Sequence, residues 1–443
     1  MGRLFGTDGI RGIANKDLTP ELALKLGQAV AQIFKDNERK KIVVGKDPRI
    51  SSDLLESSLI AGICSAGVDV FKVGVMPTPG IAYLTHYYHA SAGAVISASH
   101  NSAEFNGIKF FGESGFKLSD EKEDEIEKHI EEGMTERLTG SEIGRIFNEE
   151  DAKETYEGFL KKTIDTDFEG LKIAVDCANG ATSEIAPQIL EELGVKIIPI
   201  NNKPNGININ LDCGSLHPEI MADIVRSNSV DAGLCFDGDG DRVIMVDENG
   251  DVVDGDFIMT ICAAYLKKEG SLKNNKVVAT VMSNLGFDLA MKKLGIDIFK
   301  TKVGDRFVLR KMIEEEAVLG GEQSGHIIFL NYINTGDGIL TALQMLSILK
   351  KSNKPLSEWR KLMRKFPQVL INVKIKDKEK YKDNKAITSL INKKEEELNG
   401  KGRILVRPSG TEPLIRVMVE AETQEIAENI GREIAGKIKQ DLG

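Results

Sequence analysis

The 443-residue sequence has no apolar run that reaches the ~20 residues a membrane-spanning helix needs, so it is not expected to cross a bilayer. Its first residues, Met-Gly-Arg-Leu-Phe-Gly-Thr-Asp, lack the charged-then-apolar pattern of an export signal, and they fit a myristoylation motif only loosely because the sixth is Gly. Cysteine is scarce: Cys64, Cys177, Cys213, Cys235 and Cys262 are odd in number, far apart and without a C-x-x-C pair. That pattern argues against a disulfide framework and a zinc site, and it fits a reducing cytoplasm. No long Lys/Arg block is present, and acidic residues exceed basic ones by 68 to 58, which speaks against nucleic acid as a partner. A net charge of −10 would repel an anionic ligand, so any phosphate must be met by a local cluster of Arg, Lys, metal and backbone N–H groups.

What is present is the composition of an ordinary globular protein, 41% hydrophobic and 28% charged, with 43 glycines spread along the chain. The length is several times the usual domain of ~100–150 residues, so three or four domains are expected. Strand-like apolar runs alternate with amphipathic stretches, the pattern of α/β domains. LKIAVDCANGAT reads as a buried strand ending in a turn, SEIAPQILEELG as a helix and VKIIPIN as the next strand. The expected units are 1–155, 156–254, 255–366 and a smaller α+β tail at 367–443. The charged stretch 121–138 has helical spacing and predicts a solvated helix. Asn249-Gly250 predicts a hairpin.

Four loops carry candidate chemistry. FDGDGDRVIMVD (236–247) spaces Asp237, Asp239 and Asp241 with glycines between two apolar runs, so all three carboxylates can turn to one point and suit Mg²⁺. An EF-hand loop would need Gly where Arg242 stands, and helices where strands are read. GAVISASHNSAEFNGIKFF (93–111) leads a strand into a Ser-Ala-Ser-His-Asn loop. Ser99 there is either a turn residue or a nucleophile that a neighbouring metal would activate. Lys109 could move a proton if nearby positive charge lowered its pKa. VLGGEQSGHIIF (318–329) offers Glu322, Gln323, Ser324 and His326 to sugar hydroxyls, or is a plain Gly-rich loop. LVRPSGTEPLIRV (405–417) sets Ser409, Gly410 and Thr411 between Arg407 and Arg416, a phosphate cradle if the fold brings the arginines together.

Taken in order, FGTDGIRG (5–12), SASHN (97–101), DGDGDR (237–242), GEQSGH (321–326) and RPSGTEP (407–413) resemble the α-D-phosphohexomutase superfamily over nearly the whole chain. The Gly-Glu-Gln-Ser-Gly-His loop and the N-terminal motif look most like its bacterial branch acting on glucosamine phosphates. The resemblance implies a four-domain, heart-shaped enzyme with three related α/β domains and a C-terminal domain similar to the TATA-binding-protein fold. It implies that Ser99 is phosphorylated and that its phosphate, with Asp237, Asp239 and Asp241, holds one Mg²⁺ per chain. Arg11, His100, Lys109 and His326 match acid/base or electrostatic positions; Arg242, Glu322 and Ser324 match substrate contacts; Arg407, Ser409, Gly410, Thr411 and Arg416 match the distal phosphate site. The implied reaction is an isomerisation of glucosamine 6-phosphate and glucosamine 1-phosphate through glucosamine 1,6-bisphosphate, supplying amino-sugar and cell-wall precursors. Two positions depart from the family pattern: Ser102 replaces a usual Pro and Phe105 a frequent Asp. Ser102 should loosen the loop slightly. A mutase for glucose or mannose phosphates, a non-catalytic phosphosugar sensor and a metal-dependent phosphatase are the rival readings. The sequence leaves open whether the chain is a monomer or a homodimer.

Overall fold

The computed structural model describes residues 4–6, 8–34, 41–133, 137–376, 381, 384–408 and 414–443, and it folds into four sheets. The first contains β1 (Ile10–Ile13), β2 (Lys41–Lys46), β3 (Asp69–Val75), β4 (Ala92–Ile96), β5 (Phe105–Gly112) and β6 (Ile146–Asn148), in the order β1-β5-β4-β2-β3-β6. The second contains β7 (Lys172–Asp176), β8 (Lys196–Ile200), β9 (Ala232–Phe236), β10 (Val243–Asp247) and β11 (Val252–Val253), in the order β11-β10-β9-β7-β8. The third contains β12 (Lys276–Thr280), β13 (Asp297–Thr301), β14 (Leu319–Gly321) and β15 (Ile327–Phe329), in the order β13-β12-β14-β15. The fourth contains β16 (Gln368–Lys374), β17 (Gly402–Pro408) and β18 (Leu414–Ala421), antiparallel throughout in the order β16-β18-β17.

The first three sheets share a four-strand plan. Three parallel strands lie side by side (β4-β2-β3, β9-β7-β8, β14-β12-β13), and a fourth strand pairs antiparallel with the last of them (β5, β10, β15). The three α/β sheets are therefore repeats of one plan in their topology. The chain enters each antiparallel strand through a loop at the carboxyl end of a parallel strand, the place where open α/β sheets collect ligands. Those loops are SASHN, DGDGDR and EQSGH. The parallel strands read as near-continuous apolar runs because helices cover both faces; β4 and β9 are buried at every residue.

The strand-helix-strand reading of 171–201 appears as β7, a helix at Ile185–Glu192 and β8, and Asn249-Gly250 closes the β10–β11 hairpin. The charged helix is shorter than expected, Asp120–Glu132. It is closed by Gly133 at φ +68°, a backbone region that a non-glycine side chain disfavours.

By compactness the chain forms two units, Met1–Met282 with Ile296–Lys361, and Ser283–Gly295 with Leu362–Gly443. The second unit gathers the helix Leu285–Leu294 with the fourth sheet and two longer helices, Lys385–Leu398 and Gln424–Leu442, around a core that includes Ile387, Ile415, Val417, Ile434 and Ile438. Within it Glu420 accepts from the Leu285 amide at 2.9 Å and from Asn284 Nδ2 at 3.2 Å. No helix among the described residues is long and apolar enough to cross a membrane, and all five cysteines are buried and unpaired.

Candidate active site

The metal loop leaves β9 and returns as β10. Gly240 takes φ +71° at its apex, and Gly238 lies so close to the serine loop that a Cβ there would come within 2.6 Å of the Ser99 carbonyl oxygen. This geometry turns Asp237, Asp239 and Asp241 inward, where their carboxylate oxygens lie within 4.8 Å of one another and all three side chains are buried. Ser99 is also buried and sits at φ +51°, an uncommon backbone conformation for serine, with its Oγ donating to Asp237 Oδ2 at 2.8 Å. His100 Nδ1 lies 3.2 Å from the same Oγ. Burial, then Arg242 and Arg11, push the His100 pKa down to about 4, so its ring is neutral near pH 7.

Three buried carboxylates in this space repel one another. Burial and the neighbouring Asp241 and Asp239 drive the Asp237 pKa far up. Burial also opposes ionisation of Asp239, but Lys109 at 2.9 Å and the Thr78 hydroxyl at 2.7 Å outweigh it and keep its pKa down. Asp239 Oδ1 and Asp241 Oδ1 are buried without a hydrogen-bond partner among the described residues. Orphaned anionic oxygens aimed at one point fit a hard divalent cation.

Lys109 does not behave as the sequence suggested. Burial alone would lower its pKa, but Asp239 and Asp8 (3.0 Å) prevail and raise it, so the ammonium is a fixed positive charge. Asp8 also pairs with Arg11 and Lys117, and Lys117 pairs in turn with Asp305. His326 lies beyond, with Nε2 3.9 Å from Asp305 Oδ2 and Nδ1 3.4 Å from Asp241 Oδ2. The amide of Gly336 donates to His326 Nε2 at 3.1 Å, which requires that nitrogen to be bare. We therefore assign the proton to Nδ1, facing Asp241, although Asp241 and Asp305 outweigh burial and favour a charged ring. The result is a run of alternating charges, Asp239, Lys109, Asp8, Lys117 and Asp305, that continues through the His326 ring to Asp241 and draws on all three α/β sheets and their connections.

The remaining sequence candidates fall as follows. Arg11 donates to Asn101 Oδ1 at 3.4 Å. Arg242 donates its amide to Asp237 Oδ1 at 3.1 Å and holds its Nε 3.6 Å from Asp241 Oδ1. Glu322 accepts from the Gly304 amide at 3.1 Å, and Ser324 is exposed. In the second unit Arg407 and Arg416 stand directly opposite each other in the β17–β18 register, so the fold does bring the two guanidiniums together. Partial burial and then Arg416 hold the Arg407 pKa below its ordinary value. Ser409, Gly410 and Thr411 lie outside the described residues. Asp8, Lys117, Asp305 and Thr78 were missed; Asp8 was inside a quoted motif, and nothing local marks the other three.

Sequence comparison assigns 2–137, 155–250 and 254–366 to the alpha/beta/alpha domains I, II and III of phosphoglucomutase/phosphomannomutase, and 370–437 to its C-terminal domain. The chain belongs to the phosphoglucomutase/phosphomannomutase family. Two relatives named phosphoglucosamine mutase, from Alkaliphilus oremlandii and Carboxydothermus hydrogenoformans, are 53% and 55% identical; the alignments cover 100% and 99% of this chain and 100% of each relative. A phosphoglucomutase/phosphomannomutase family protein of Burkholderia thailandensis shares the fold at TM-score 0.82 and 22% identity, over 100% of this chain and 98% of that one. The N-acetylphosphoglucosamine mutase of Aspergillus fumigatus, solved in complex with GlcNAc-6P and magnesium, does so at TM-score 0.66 and 18% identity, over 99% and 96%. The four-sheet α/β architecture is thus that of the family.

Proposed function

We propose that this chain is a phosphoglucosamine mutase that interconverts glucosamine 6-phosphate and glucosamine 1-phosphate through a phosphorylated Ser99. The observation that carries the chemistry is the Ser99 hydroxyl, buried and 2.8 Å from a carboxylate of a three-aspartate cluster. The choice of sugar rests on full-length relatives of that name at 53–55% identity.

In the first half-reaction a free hydroxyl of the bound monophosphate attacks the phosphorus carried on Ser99. The new sugar O–P bond forms as the Oγ–P bond breaks, leaving glucosamine 1,6-bisphosphate. After the intermediate turns over, Ser99 Oγ attacks its other phosphate and the sugar oxygen leaves. The proton of the attacking sugar hydroxyl ends on Ser99 Oγ and returns to the sugar oxygen when Oγ attacks in turn; His100, neutral and 3.2 Å from Oγ, is placed to relay it. Lys109 and Arg11 supply fixed positive charge beside the transferring group, and His326 presents Nδ1–H. Asp237, Asp239 and Asp241, with the serine phosphate, would hold one Mg²⁺, which neutralises phosphoryl oxygens when bound. Arg242 and Glu322 line the sugar side, with Ser324 exposed nearby; Arg407 and Arg416 are a paired guanidinium site suited to a phosphate. We read the four sheets as domains at 1–155, 156–254, 255–366 and 367–443, and the five unpaired cysteines as fitting a reducing cytoplasm.

Turnover of glucosamine, glucose and mannose phosphates, assayed with Mg²⁺ and a trace of bisphosphate, tests the reading. Glucosamine 6-phosphate should be preferred, and Ser99→Ala should abolish isomerisation. A strong preference for either neutral sugar would reject the assignment of substrate, and full activity in Ser99→Ala would reject the mechanism.

A further inference from the structure

The carbonyl oxygen of Ser99 receives two donors from distant parts of the chain, Arg49 Nη2 at 3.0 Å and Asn210 Nδ2 at 2.9 Å. The same two donors reach the carbonyl of Asn101, at 2.8 and 2.9 Å. Arg49 Nη1 continues along the loop to the carbonyls of Ser102 and, at 3.1 Å, Phe105. The guanidinium is itself fixed by Asp47, which accepts from Arg49 Nε at 2.9 Å. Asp47 also accepts from the Ser97 hydroxyl at 2.6 Å, and Ser97 Oγ takes the Ser99 amide at 3.0 Å. Both polar groups of the Ser99 backbone are therefore tied to one buried Asp47–Arg49 pair on the loop after β2.

Asn210 comes from the second sheet's loops, and its Nδ2 would lie 2.6 Å from a Cβ placed on Gly238 of the metal loop. One side chain thus touches the serine loop while packed against the metal loop. The bonds of Arg49 run to main-chain carbonyls and to Asp47 rather than to the metal carboxylates. Its reach over four carbonyls needs a planar fork of N–H donors, which an ammonium cannot reproduce.

We infer that Arg49 and Asn210 are positioning residues for the nucleophile: together they hold the serine loop, at its left-handed Ser99, in register with the metal loop so that Oγ faces Asp237. The inference rests on the proposed phosphoserine chemistry. Phosphoryl transfer gains mostly from placement, so slackening this clamp should slow chemistry while leaving sugar binding intact. It also answers the expected loosening at Ser102, because the Ser102 carbonyl is one of the clamped groups.

The test is steady-state kinetics on Arg49→Lys, Arg49→Ala and Asn210→Ala, with melting curves alongside. It is paired with the rate at which dephosphorylated enzyme takes up phosphate from glucose 1,6-bisphosphate, read on Ser99 by intact mass. Arg49→Lys should lose about 100-fold in kcat and Asn210→Ala about 10-fold, each with KM within about twofold of wild type. Methylguanidinium, but not methylammonium, should restore part of the Arg49→Ala activity. Both variants keeping kcat within about threefold, or a rise in KM at constant kcat, would overturn the inference. If Arg49→Ala does not fold, Asn210→Ala and Arg49→Lys decide it. Wild type that is phosphorylated but idle on glucosamine phosphates would sink the sugar assignment alone, because the uptake rates still compare the variants.

Discussion

Lys117 pairs with Asp305 across 188 positions of sequence, and the same ammonium pairs with Asp8. One largely buried cation thereby links the N-terminal motif to the first turn of the helix Asp305–Glu315. Burial lowers the Lys117 pKa, but Asp305 and Asp8 overcome this and raise it. Replacing it with Met removes the cation and leaves two carboxylates facing each other. Breaking a buried pair from one side costs roughly 3–5 kcal/mol. Lys117→Met should therefore lower unfolding free energy by about that much in urea titrations, and Asp305→Asn by less because an amide can still accept from Lys117. Unchanged midpoints would show that water already shields the pair.

The aspartate cluster predicts a cation-dependent melting temperature. Asp239 Oδ1 and Asp241 Oδ1 have no hydrogen-bond partner among the described residues, and Asp237 resists ionisation beside them. Mg²⁺ that binds only the folded chain stabilises it by about 2.7 kcal/mol at 100 times its Kd. Calorimetry with Mg²⁺ should show a higher melting temperature than with EDTA, and Asp241→Asn should lose most of that difference. Identical transitions in Mg²⁺ and EDTA would rule out a cation at this site under those conditions.

The readable and the hidden parts of this site differ by sequence distance. Asp237, Asp239 and Asp241 lie within five residues, and glycine spacing between two apolar runs already implied convergence. Ser99 reads locally as turn or nucleophile and takes its role from the family resemblance; its approach to Asp237, 138 positions away, is visible only in the fold. The charge of Lys109 could not be read locally, since the groups that raise its pKa, Asp239 and Asp8, are brought to it by other loops. For the same reason nothing adjacent in sequence marks Lys117, Asp305 or Arg49. Architecture was more legible, because alternating apolar runs and helices force parallel strands. The shared strand order of three sheets emerged only from pairing.

Gly238 offers a test of how tightly the two loops meet. A methyl group there would stand 2.6 Å from both the Ser99 carbonyl oxygen and Asn210 Nδ2, and 2.9 Å from Ile209 Cδ1. Two of these neighbours are held by the clamp, so the loops must separate. Gly238→Ala should fold and yet lose at least about 10-fold in kcat, since misplacement of the order of 1 Å can cost ~100-fold. Wild-type kcat in a folded Gly238→Ala would mean that the loops tolerate that separation.

Asp337 gives the stability a pH dependence whose sign is set by its burial. The carboxyl caps the helix Gly338–Ser352, accepting from the Leu340 amide at 2.9 Å and from the Tyr156 hydroxyl at 2.7 Å. Burial nevertheless dominates these lowering contacts and pushes its pKa up to about 6 from 3.8. The folded chain therefore binds this proton more tightly than the unfolded chain does. Its contribution is fully present below the unfolded value and is lost as pH rises through the folded one. The gap corresponds to about 3 kcal/mol, falling away between roughly pH 4 and pH 6.5. Asp337→Asn keeps an accepting oxygen for the cap but carries no titrating proton. Measured against wild type across that range, the variant should gain about 3 kcal/mol of relative stability toward neutral pH. Parallel stability curves for the two proteins would show that Asp337 stays ionised in the fold.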